Sequence, residues 1–116
     1  MKYDSKIKFE DNFEGNYFGS GDLTLSGTFK GTIKIDKLIV NENAFFIGNI
    51  TAQEIIVEGQ IKADISAEKL HVMSTGKVEG DLLYRTLKID EGGYLNSSKV
   101  IKMSDQSNLK SKLLKN

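Results

Sequence analysis

A chain of 116 residues is of single-domain size, and its 16 basic and 16 acidic side chains cancel to a net charge of zero. That balance removes the global field expected of a protein that grips nucleic acid or an anionic membrane. Cysteine and proline are both absent, which excludes disulfides and thiolate metal sites and leaves every main-chain N–H beyond the first residue able to enter a ladder.

The chain begins with MKYDSK (1–6), a charged stretch without the apolar core of a signal peptide. No later apolar run reaches the length that spans a bilayer. From residue 7 the pattern becomes periodic. IKF (7–9) is followed by FEGNY (13–17), LTL (23–25) by LSGTFKGTIK (25–34), and LIV (38–40) by ENAFFIGNIT (42–51). The same order returns as IIV (55–57) with VEGQIKADIS (57–66), LHV (70–72) with STGKVEGDLL (74–83), and LKI (87–89) with EGGYLNSSKV (91–100). Apolar residues recur at every second position, which is the period of strands and not of helices.

The leading residues Ile7, Leu23, Leu38, Ile55, Leu70 and Leu87 cover five intervals in 80 residues, a mean of 16. Each unit holds three short strands, the third being IKI (33–35), ITA (50–52), ISA (65–67) or LLY (82–84). Three strands per 16 residues predict an all-β, three-sided parallel β-helix (β-solenoid) of about six coils over residues 7–103. Residues 1–6 form a short tail ahead of it, and 104–116 a basic tail behind. Length varies at one corner, short in LSG and VEG and two residues longer in VNENA, VMSTG and IDEGG. A sandwich of hairpins is the competing fold, but its commonest turn dipeptides are Asn-Gly and Asp-Gly, and the chain has neither.

Stacking the units predicts four inward columns. They are Leu23, Leu38, Ile55, Leu70 and Leu87; Leu25, Val40, Val57, Val72 and Ile89; Phe13, Phe29, Phe46, Ile61, Val78 and Leu95; and Ile33, Ile50, Ile65 and Leu82. Two further columns hold only small residues: Gly27, Ala44, Gly59, Gly76 and Gly93, and Gly15, Gly31, Gly48, Ala63 and Gly80. At the bends of so narrow a coil a Cβ is expected to clash or to demand a forbidden φ. Near the end the pattern decays. Ser97 falls in the second small column, Lys99 where an inward Ile belongs, and Ile101 and Met103 open a partial seventh coil. In SDQSNLKSKLLKN (104–116), Lys110, Lys112 and Lys115 supply charge, and Leu109 and Leu113 are four apart, so the tail is expected to be disordered or a short helix.

Chemistry is hard to place on this pattern. The one histidine, His71, sits between inward Leu70 and Val72 and is expected to face solvent as a bystander. No Gly-x-Ser-x-Gly, P-loop or HExxH motif occurs, and acid pairs such as Asp90–Glu91 fall at turns. No catalytic residue, cofactor or metal is expected. A solenoid acyltransferase-like enzyme, or an inactive relative of one, is the enzymatic alternative. Its hexapeptide repeat gives about 18 residues per coil, which drifts against the mean of 16. A monomeric β-helical adaptor is the third reading.

The succession LTLSGTFKGTIKIDKLIV (23–40), IIVEGQIKADISAEKLHV (55–72) and GKVEGDLLYRTLKIDEGGYL (76–95) resembles the bactofilin family. The shared pattern is apolar-x-apolar-Gly, then Φ-x-Gly-x-Ile, then Ala-x-x-apolar-x-Val, over roughly residues 13–97. The resemblance implies a right-handed three-sided β-helix that polymerises end to end without nucleotide. It implies non-polar filaments serving as a bacterial cytoskeletal scaffold, often in cell shape and wall synthesis. The partner is then a second copy of the chain, with cell-wall enzymes or other cytoskeletal proteins as candidate clients and no nucleic acid. The implied location is the cytoplasm, extending to the inner face of the cell membrane. Many members carry an N-terminal membrane-targeting segment, whereas MKYDSK is charged, so membrane attachment is left open.

A solenoid ends in coils whose backbone edges and apolar faces have no neighbour, and proteins normally cap such edges. The expected end-to-end interface therefore comprises Ile7, Phe9 and Phe13 at one end and Leu87, Ile89 and Leu95 at the other. A lateral or partner patch is expected where apolar residues break the polar outer columns. Ile39 and Ile56 should stack on one face beside Thr24 and His71, while Phe45 and Ile47 should protrude on the next.

Overall fold

The computed structural model describes residues 7–9, 12–97 and 99–102, and for 7–9 the backbone alone. Ten strands follow one another: β1 (Ile7–Phe9), β2 (Asn12–Phe18), β3 (Asp22–Leu25), β4 (Thr28–Val40), β5 (Phe45–Val57), β6 (Gln60–Val72), β7 (Lys77–Glu79), β8 (Leu82–Ile89), β9 (Tyr94–Asn96) and β10 (Val100–Lys102). All belong to a single sheet. Every pairing is parallel, and each joins a segment to the one a coil further along the chain. The result is a β-solenoid, with no helix among the described residues.

Register confirms the columns. Ile7 pairs with Leu23, Leu23 with Leu38, Leu38 with Ile55, Ile55 with Leu70 and Leu70 with Leu87, which makes five turns. The offset alternates between 15 residues (Leu23 to Leu38, Ile55 to Leu70) and 17 (Leu38 to Ile55, Leu70 to Leu87). The corner explains that alternation. In the longer coils it closes as a tight turn, with the Ala44 N–H donating to Asn41 O at 2.9 Å and the Gly76 N–H to Met73 O at 2.9 Å. The shorter coils cross the same corner on Ser26–Gly27 and Glu58–Gly59. A Cβ on Gly59 would lie 2.2 Å from Asn41 O and 2.6 Å from Ala44 O, so the short corner nests on the long one only with glycine there.

The second small column bends the coil. Gly31 pairs with Gly15 and with Gly48, and all three hold φ between +137° and +143°. A Cβ on Gly48 would sit 1.8 Å from the carbonyl oxygen of Gly31. Ala63 occupies the next place in this column without a positive φ, its side chain buried. The bend therefore tolerates a methyl in that coil, contrary to the expectation for the column as a whole.

The core is a narrow apolar stack with no buried polar or charged residue among those described. Phe13, Phe29 and Phe46 stack ring on ring, with centroids 4.7 and 5.2 Å apart. Each fully buried aliphatic side chain contributes about 1.5–3 kcal/mol. The third leg adds Ile35, Ala52 and Ala67, all buried, and Tyr17 extends the Ile33 column to the first described coil. Corner polar groups bridge neighbouring coils: Asn41 Nδ2 donates to Ser26 Oγ at 2.8 Å, Thr75 Oγ1 to Glu58 O at 2.8 Å, and the Gly21 N–H to Asp36 Oδ2 at 2.9 Å.

One register expectation fails. Val100, not Lys99, continues the column of Ile65 and Leu82. The extra residue is taken up at 97–99, where Ser97 Oγ donates to Lys99 O at 2.8 Å and accepts from the Lys99 N–H at 3.2 Å. A partial further coil does begin there, but on Val100, with Ile101 facing outward. Met103 and the tail 104–116 lie outside the described residues.

Candidate assembly surfaces

The candidate site is the pair of ends. In the middle of the rod each inward side chain is roofed by the same column above and below. At the last coil that roof is missing. Leu25, Val40, Val57 and Val72 are all 0% exposed, while Ile89, next in their column, is 41% exposed. Leu87 and Leu95 pack against the core yet remain half-buried. Tyr94 and Val100, which the sequence reading passed over, are exposed on the same end.

At the first coil, β1 pairs only with β3, and β2 only with β4, so their outer edges have no strand partner among the described residues. Phe13 is half-buried, its ring stacked on Phe29 on the inner side. Ile7 and Phe9 lie on β1 in register with Leu23 and Leu25; their side chains lie outside the described residues. Of the six residues, three lie on the first described coil and three on the last.

Ile39 pairs with Ile56, flanked by Thr24 and His71, so that stack forms. Phe45 and Ile47 lie on another leg, either side of buried Phe46. All four face outward and are half-buried. Coils about 4.8 Å apart press each outward side chain against its column neighbours; for Ile47 these are Lys30 and Lys62, whose methylene stems can cover it.

His71 has a partner. Its Nε2 lies 2.9 Å from Asp90 Oδ1, tying the fifth pass of the chain to the corner of the last. Arg85 Nε donates to Glu68 Oε2 at 2.6 Å across the same pair of coils at another corner. On one leg Asp22, Lys37, Glu54 and Lys69 follow in register, charges alternating along the rod. Among the described residues no group of three or more His, Cys, Asp or Glu could hold a metal ion. No described helix is long and apolar enough to cross a membrane.

The model of the bactofilin family, described as polymer-forming cytoskeletal, matches residues 5–99. No curated protein matches the chain. Among solved structures, the cryo-EM reconstruction of Thermus thermophilus bactofilin double helical filaments is similar, with 16% sequence identity and a TM-score of 0.66. The match covers 84% of this chain and 94% of that one, and it agrees with the solenoid described above. The repeating coils, the roofless ends and the family match over most of the sequence together place this chain in the bactofilin family of polymer-forming cytoskeletal proteins.

Proposed function

We propose that this protein is a non-enzymatic scaffold subunit that polymerises end to end, without nucleotide, through its first and last coils. The observation that carries this reading is the break in one column: Val72 is sealed while its neighbour Ile89 is 41% exposed. Another copy stacked on that coil would extend the ladder and cover the apolar face in one step. Cell shape or wall synthesis is the role the family resemblance suggests, in the cytoplasm or at the inner face of the membrane, with wall enzymes as candidate clients.

A second contact is proposed on the side of the rod. The Thermus protein forms double helical filaments, and such a filament needs lateral as well as axial contacts. The Ile39–Ile56 stack, and Phe45 with Ile47 on the next leg, are the proposed lateral or client surfaces.

The test of the axial reading is Leu95→Arg. It would bring an unpaired charge into a desolvated junction, costing on the order of several kcal/mol. The variant should sediment as a small species with its β-type circular dichroism intact. Filaments of wild-type length from it would refute axial assembly through this end.

A further inference from the structure

One outward column has a distribution the core does not require. In register it runs Phe18, Lys34, Thr51, Ser66, Leu83, Ile101. Its middle is polar and its ends are apolar. Phe18 is 66% exposed, the highest value among the exposed large hydrophobic residues, and Leu83 and Ile101 are 37% and 45% exposed. Other outward columns do not share this arrangement. Thr24, Ile39, Ile56, His71 and Lys88 are polar at both ends, as are Glu14, Lys30, Ile47, Lys62, Glu79 and Asn96.

The strands that carry the two apolar ends are the open-edged ones. β2, bearing Phe18, pairs with β4 alone, and β10, bearing Ile101, with β8 alone. Next to them in sequence, Tyr17 and Val100 are the terminal members of an inward column that would be continued by another copy. Leu83 and Ile101 also border a shallow groove with Ser66, Asp81 and Lys99.

We propose that Phe18, Leu83 and Ile101 form an outer apolar seam that meets a second copy of this chain across the junction. The interface then wraps from the core cross-section onto one side of the rod. This rests on end-to-end assembly. A second copy is the occupant because the apolar residues lie on the two open-edged strands and, for Leu83, on the strand next to β10, and are absent from the three coils between. A segment lying along the whole face, such as the chain's own last residues, would need apolar partners in the polar middle as well. Burying exposed apolar area at the seam strengthens the junction without adding to the core of the subunit.

The chain has no cysteine, so thiols can be placed singly. Phe18→Cys and Ile101→Cys proteins, each alone and then mixed, are assembled and treated with a short bismaleimide cross-linker. The seam predicts intermolecular dimers: from each protein alone if like ends meet, or from the mixture if unlike ends meet. Filaments visible in all three samples with no cross-link in any would overturn the seam and leave end-to-end assembly standing. Failure of the wild-type chain to assemble would strike the end-to-end reading instead. An intramolecular link between Ile101→Cys and Leu109→Cys, replacing the intermolecular one, would assign the cover to the chain's own tail and also overturn the proposal. Leu83→Ser with Ile101→Ser supplies the energetic test. It should raise the concentration needed for assembly at least about tenfold while the melting of dispersed subunits is unchanged. An unaltered assembly concentration would count against the seam.

Discussion

Leu70 and Leu87 are registered neighbours in one column, yet the first is sealed and the second is half-open. The sequence of the two coils is not the reason, since both follow the same repeat. What differs is position: the middle coils have a neighbour on each side, whereas the last coil has a neighbour on one. Stability in such a rod is close to a sum of nearest-neighbour terms. An end coil therefore has about half the contacts of a middle one, and an equal appetite for the rest. In the proposed end-to-end assembly, a second copy would give the end coil the environment the middle already has.

The sharpest way to separate the two regions uses one column of glycines. Gly48 and Gly15 share a φ near +140°. A Cβ on Gly48 meets the backbone of the preceding coil at 1.8 Å, while on Gly15 its nearest neighbour is the Phe13 ring at 3.6 Å. Gly48→Ala should therefore cost above about 3 kcal/mol, combining conformational strain and overpacking. Gly15→Ala should cost about 1–2 kcal/mol, strain alone. Urea unfolding of dispersed subunits measures both, and equal losses would show that coil-to-coil packing is not what selects glycine.

Truncation of leucines gives the next largest difference. Leu70→Ala should cost about 2–5 kcal/mol whatever the assembly state. Leu87→Ala should cost at most about half of that in dispersed subunits and approach the Leu70 value in filaments. Thermal melting below and above the assembly concentration reads the contrast.

Charge on the sides should matter less. Lys37→Glu would set three acids in line with Asp22 and Glu54, destabilising by about 1 kcal/mol at low ionic strength. The loss should shrink as salt is added. His71→Ala removes the partly exposed pair with Asp90, and the expected loss is under about 1 kcal/mol, confined to the last coil. Filament formation should persist in both variants.

The core was legible because its signal repeats. Leu38, Ile55 and Leu70 each sit two residues before a β-branched residue, and one misread coil is corrected by the next. The small columns were legible for the same reason, with Ala63 as the coil where a methyl is allowed. The ends were only partly legible. Phe18, Leu83 and Ile101 face outward, where a single apolar residue carries no periodic signal. They become a set only once register joins residues 18 and 101 through four intermediates. At 97–99 a single extra residue shifted that register and exchanged Lys99 for Val100 on the inner side. The half-burial of Phe45 and Ile47 was also beyond a strand-by-strand reading, because neighbouring coils supply the cover.

The measurement closest to the central claim is amide hydrogen exchange on the same protein, dispersed and assembled. Middle strands β5 and β6 should be protected equally in both states, whereas β2, β8 and β10 should exchange fast when dispersed and slow markedly on assembly. End strands that exchange equally fast in filaments would contradict the claim that one copy completes the next.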